Sequence, residues 1–134
     1  VVKNNKYNMY MNLKTTILSG LLFIAIDTIY LSSMSNFFNK LVKNIQGTKI
    51  KFKILGAIIC YIFLIFGLNY FIISKNKSPL EASILGLIIY GVYDSTNYTI
   101  FDNWSLEALV LDTIWGGVLF YLTTYATYKL KTII

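Results

Sequence analysis

Leu13-Lys14-Thr15-Thr16-Ile17-Leu18-Ser19-Gly20-Leu21-Leu22-Phe23-Ile24-Ala25-Ile26-Asp27-Thr28-Ile29-Tyr30-Leu31-Ser32-Ser33-Met34 decides how this chain is read. The stretch is as long as the ~20 residues an α-helix needs to cross a hydrocarbon core ~30 Å thick. One residue in it resists. Asp27 carries a carboxyl in the middle of the apolar run, where insertion costs ~2.5–3.5 kcal/mol, so it is a functional-site hypothesis by default. The same conflict recurs at Asp94 and at Asp112, inside two later apolar runs. Together they are three of the six acidic residues in the chain. Accidents facing lipid rarely recur in this way, so a polar interior is implied.

Three further runs, at 54–73, 79–98 and 105–128, join 13–34 as spans of one four-helix transmembrane bundle, an all-α fold. Backbone groups in lipid must be satisfied internally, which requires helices. Local signals agree. Ser78-Pro79-Leu80-Glu81 has the form of a capping box with proline at the first helical position. Glu107 in the first turn of the last helix and Lys129 beyond its last turn both suit the helix dipole. Residues 1–12 read as a flexible lead and 129–134 as a short basic tail. Lys14, the first apolar run and Ser33-Met34-Ser35 resemble a cleaved leader, but Asp27 would spoil its apolar core.

Composition narrows the class. Of 134 residues, 56% are hydrophobic and 13% charged, with mean hydropathy +0.60. A soluble domain of this size has too little interior to hide so much apolar surface. All twelve basic residues are lysine and histidine is absent, which excludes histidine-ligated metals and Ser-His or Cys-His nucleophiles. Cys60 stands alone within the second span and reads as a packed apolar thiol. The net charge of +6 comes from lysines clustered outside the spans, as expected of contacts with anionic headgroups rather than nucleic acid. The side holding the termini and the second loop carries seven lysines against five, so the positive-inside rule favours cytoplasmic termini. Tyr7, Tyr10, Tyr125 and Tyr128 on that side, with Tyr30, Tyr98 and Trp104 on the other, read as aromatic belts. Between spans one and two, Phe37, Phe38, Leu41, Val42 and Ile45 share one helical face, predicting a short interfacial helix or a solvated extension of the first span.

Depth relates the three aspartates. At ~1.5 Å per residue, Asp27, Asp94 and Asp112 all fall about 6–11 Å below one membrane face. Their faces agree: Thr16, Gly20, Phe23, Asp27, Tyr30 and Met34 on helix one; Gly86, Tyr90, Tyr93, Asp94 and Asn97 on helix three; Asp112, Trp115, Gly116 and Thr123 on helix four. Helix two, with Asn69 and two tyrosines, reads as a structural wall. Ala82…Gly86 and Thr113…Gly117 permit close helix approach. The candidate polar core is therefore Asp27, Tyr30, Tyr90, Tyr93, Asp94, Asn97, Asp112 and Trp115. Asp27, Asp94 and Asp112 are the candidate ligands should a divalent cation bind there; no cofactor is implied.

The strings Ile26-Asp27-Thr28-Ile29-Tyr30-Leu31, Tyr90-Gly91-Val92-Tyr93-Asp94-Ser95-Thr96-Asn97 and Leu111-Asp112-Thr113-Ile114-Trp115-Gly116 carry a resemblance. Together they resemble the family of predicted four-span membrane proteins called domain of unknown function 2177, which occurs in bacteria and giant viruses. The resemblance covers about residues 13–128. It implies that Asp27, Tyr93, Asp94, Asn97, Asp112, Trp115 and Gly116 stand at the family's signature positions. Tyr30 stands where the family often has Trp, and Ser105 where Pro often follows the loop Trp. The resemblance implies a topology and no activity.

Three functions remain open on this reading. A carboxylate-lined pocket could bind or pass a proton, cation or small polar solute, with a homo-oligomer supplying the rest of any path. A hydrogen-bonded polar core could serve a structural or accessory protein of the bilayer. An enzyme acting on lipid headgroups could use Asp94 and Asp112 as acid and base or as metal ligands, though no activated nucleophile or spaced metal motif accompanies them, so an enzyme is the least supported.

Overall fold

The computed structural model describes residues 11–134. Most of the expected lead, with Tyr7 and Tyr10, lies outside the described residues. Five helices follow in order: α1 Leu13–Ser33, α2 Ser35–Gln46, α3 Ile54–Phe71, α4 Pro79–Ile100 and α5 Leu106–Leu130. A 3-10 turn, Ile73–Lys75, trails α3. Among the described residues there is no strand.

The helix ends follow from short-range chemistry. Asn12 caps α1, its side chain accepting from the Lys14 and Thr15 backbone N–H groups. Ser78 Oγ accepts from Glu81 N–H while the Glu81 carboxylate accepts from Ser78 N–H at 2.9 Å, the reciprocal box expected from the sequence. Ser105 Oγ accepts from Ala108 N–H at 3.0 Å and starts α5. At the C-terminal end of α2, Gly47 takes φ +80°, a left-handed conformation that an L side chain would strain.

Three helical segments are long and apolar enough to cross a membrane: α1, α3 with its 3-10 turn, and α5. The four-span expectation is thus met by three segments on hydropathy. The reason is visible in α4, which is long but carries Glu81, Ser83, Asp94, Ser95, Thr96, Asn97 and Thr99. On its flank the hydroxyls turn inward on their own helix: Ser95 Oγ donates to Gly91 O at 2.6 Å, Thr96 to Val92 O at 2.7 Å and Thr99 to Ser95 O at 2.8 Å.

α4 and α5 form the tightest pair, and glycine is the cause. A Cβ on Gly86 would overlap the Gly116 carbonyl, and one on Gly116 would overlap the Tyr90 ring. A Cβ on Gly117 would come within 2.9 Å of Leu87. α1 packs between α5 and α3. All four long helices contribute to one core that includes Phe23, Leu64, Leu68, Ala82, Leu119 and Phe120. The outer faces are apolar as well: Ile58, Ile62, Phe63, Ile84, Ile88, Ile114 and Leu122 are all exposed. So large an apolar surface calls for a lipid environment.

α2 is a helix of its own, set off from α1 by the non-helical Met34. Its apolar face holds the buried Leu41, and Phe38 meets the Tyr30 ring edge-on at 6.1 Å. Asn103, in the loop before α5, donates to the Asn44 carbonyl at 2.9 Å. α2 therefore lies at the end of the bundle where α4 ends and α5 begins. Cys60 differs from expectation. It is exposed, because α3 packs closely only on α1 and most of its surface faces outward.

Candidate functional site

Asp27 is buried in α1 and fully engaged. Its Oδ2 accepts the Tyr61 hydroxyl at 2.6 Å and its Oδ1 accepts the Trp115 indole N–H at 2.9 Å. The carboxyl thereby ties α1 to both α3 and α5. Such bonds are the glue that lipid itself does not supply. Tyr30, one turn beyond Asp27, stacks on Trp115 with ring centroids 4.4 Å apart and donates its hydroxyl to Asp112 Oδ1 at 3.2 Å. One connected group thus runs from Tyr61 through Asp27, Trp115 and Tyr30 to Asp112.

Asp94 stands at the end of that group and differs from Asp27 in one respect. It is completely buried, and neither carboxyl oxygen has a hydrogen-bond partner. Its polar neighbours are the Asp112 carboxyl, which can bond to it only when one of the two carries a proton, and the Trp104 indole, whose N–H makes no hydrogen bond. The Trp104 Nε1 and the Thr113 hydroxyl are likewise buried without partners. Asp112 itself is only part-buried. An unsatisfied buried acceptor costs roughly 1–3 kcal/mol, more when charged.

The expected core residues fall into two sets. Asp27, Tyr30, Asp112 and Trp115 form the connected group, Asp94 adjoins it, Asn97 is buried one turn on, and Tyr90 lies against Gly116 with its ring 6.4 Å from Phe120. Tyr93 is elsewhere, 58% exposed. α4 meets only α5 closely, so its inward arc narrows to Ala82, Gly86, Tyr90, Asp94 and Asn97, and Tyr93 lies beyond that edge. Two further residues join these sets: Tyr61, from the helix expected to be a structural wall, and Trp104, expected at the aromatic belt. Tyr61 lies eight residues before Asn69, two helical turns, so the two share a face. That spacing was the available signal.

Among the described residues, no three Asp, Glu, Cys or His side chains gather where they could hold one metal ion. The Tyr30–Trp115 stack stands between Asp27 and the Asp94–Asp112 pair. An apolar groove of about 470 Å³ lies apart from that pair, between α1 and α3, lined by Ile24, Ile58, Ile62 and Phe66 among others.

The profile of a family described as "Predicted membrane protein (DUF2177)" matches residues 12–129, nearly the whole chain. The chain belongs to that family. No curated protein and no solved structure matches it. In this DUF2177 protein the matched region contains every residue of the connected group, and it agrees with the resemblance carried by the strings around Asp27, Asp94 and Asp112.

Proposed function

We propose that this membrane protein crosses the bilayer four times and that its Asp94–Asp112 pair takes up and releases a proton or a small cation from one membrane face. The observation that carries the reading is Asp94: wholly buried, with both oxygens unpartnered, beside a second carboxyl. Ionisable groups at such depth mark ion and proton paths more often than simple packing. A proton shared with Asp112, or a cation held between the two carboxyls, would supply the partner that Asp94 lacks. Part-exposed Asp112 is the entry, and Asp94 the inner acceptor.

The outward stripe of α4 supports its role as the fourth span. Leu80, Ile84, Ile88 and Val92, spaced four apart, are all exposed and apolar. The end bearing Lys14, Lys75, Lys77, Lys129 and Lys131 faces the cytoplasm on the positive-inside rule. The structural reading competes on one observation, the closed bonding of Asp27 by Tyr61 and Trp115. We assign that role to Asp27 alone.

The test is labelling with dicyclohexylcarbodiimide, which modifies protonated carboxyls, on the purified protein in nanodiscs, mapped by mass spectrometry across pH with and without added cations. Asp94 or Asp112 should label near neutral pH and be protected by competing cations if these bind. Asp102, in the water-exposed loop, is the control. A pair that stays unlabelled throughout, in a protein whose Asp94→Asn variant behaves as wild type in every assay, would falsify the reading.

A further inference from the structure

A second polar layer lies deeper in the bundle. Ser19 and Asn69 exchange hydrogen bonds, Asn69 Nδ2 donating to Ser19 Oγ at 2.9 Å and Ser19 Oγ to Asn69 Oδ1 at 3.2 Å. Both are buried, as are Thr123 and Thr124 on α5. The antiparallel register of α1 and α5 brings these groups to one level. Tyr30 meets Asp112, Asp27 meets Trp115 and Phe23 meets Phe120, so the next turn sets Ser19 level with Thr123 and Thr124.

The two threonines are unusual in this molecule. Many hydroxyls in the long helices bond back to their own backbone, among them Thr16, Ser19, Thr28, Ser33, Ser95, Thr96, Thr99 and Thr127, whereas the Thr113 hydroxyl, beside Asp112, is buried without a partner as these two are. Thr123 and Thr124 are completely buried and their Oγ1 atoms have no partner. Buried hydroxyls are normally satisfied, often by ordered water.

Between the two layers stand Phe23 and Phe120. Both are fully buried, with centroids 5.3 Å apart and planes at 81°. Tyr61 flanks Phe23 and Tyr90 flanks Phe120, each edge to face. Nothing polar on either ring can relay a proton. Apolar constrictions of this kind exclude water and gate conduction.

We propose that Phe23 and Phe120 form a hydrophobic gate between two polar half-paths, the aspartate layer and the Ser19–Asn69–Thr123–Thr124 layer, and that the passenger is a proton. The inference rests on the proton reading of Asp94 and Asp112 and extends it across the bundle. When the rings part, water joins the layers: the carboxyl O–H bond breaks as an O–H bond forms on that water, and one proton leaves at the far face for each that enters at the near one. When they meet, each layer exchanges only with its own membrane face.

Purified full-length protein in liposomes, with a trapped pH dye and a potassium–valinomycin voltage, reads the gate directly. Phe23→Ala and Phe120→Ala should raise proton flux roughly tenfold or more over wild type. Phe120→Leu, which keeps the core filled, should raise it less. Adding the near-isosteric Thr123→Val and Thr124→Val to Phe120→Ala should return flux toward wild type. The gate is overturned if both alanine variants, helical by circular dichroism and eluting as wild type, conduct no faster than it. It is equally overturned if the valine changes leave the Phe120→Ala flux untouched, since the path then runs elsewhere. Carbodiimide labelling of the same samples separates the two ideas: labelled Asp94 with unchanged flux defeats the gate alone, and unlabelled Asp94 defeats the proton reading beneath it.

Discussion

Removing the Asp27 carboxyl should loosen the bundle by an amount that its two bonds set. Asp27→Ala leaves the Tyr61 hydroxyl and the Trp115 indole N–H, donors at 2.6 and 2.9 Å, without their acceptor. Hydrogen bonds between helices in membranes average ~0.6 kcal/mol and reach ~1.7, so two of them correspond to about 1.2–3.4 kcal/mol. The upper half of that range is expected, because both donors would be left inside the bundle without an acceptor. The assay is reversible unfolding in mixed detergent micelles, run as a double-mutant cycle of Asp27→Ala with Tyr61→Phe. A coupling of about 0.6 kcal/mol or more is expected for the Tyr61 bond. Trp115 gives a second reading. In a Trp104→Phe background its emission should shift in Asp27→Ala, since it loses the hydrogen bond on Nε1 while keeping its stack on the Tyr30 ring. A coupling indistinguishable from zero, with unchanged emission, would refute the view that Asp27 is a tie between three helices.

Two other outcomes follow from packing. Gly86→Val or Gly116→Val should cost at least ~1–3 kcal/mol by forcing α4 from α5, whereas Gly56→Ala and Gly67→Ala, with open space around them, should be neutral or gain a few tenths to ~1 kcal/mol in helix propensity; thermal unfolding in detergent decides, and equal effects at Gly86 and Gly56 would contradict the seam. Cys60 should resist a charged, membrane-impermeant maleimide in liposomes, because lipid disfavours the thiolate, and react once the protein is denatured in detergent; rapid reaction before denaturation would place this face of α3 against water.

The local features were legible and the rotations of helices were not. Spans show in sequence because length and apolarity are properties of a segment, and the Ser78–Glu81 box because its partners are three residues apart. Asp27, Asp94 and Asp112 stood out because each conflicts with its surroundings. What a carboxyl meets, however, depends on how neighbouring helices turn about their axes, and contacts far apart in sequence decide that. Tyr93 and Asp94 are adjacent in the chain, yet one is exposed and the other sealed, because α5 approaches α4 along the narrow face of Gly86 and Gly116. Tyr61 looked like any span tyrosine until α1 was set beside it. Equal depth for the three aspartates did not imply a shared cluster: Asp27 found two donors, while Asp94 and Asp112 found each other.

Translation gives the Asp27 tie a further meaning. Its donors lie 34 and 88 residues downstream, so the carboxyl leaves the ribosome well before either exists. At ~5–20 residues per second, Trp115 follows about 4–18 s later. Throughout that interval α1 carries an acidic side chain that lipid disfavours, and the insertion machinery or the aqueous interface must shelter it. α4 and α5, joined by a short loop and zipped by glycine, are built to pair as a hairpin. Tyr61 reaches Asp27 first, with α3, and the second of its two bonds closes only when α5 delivers Trp115.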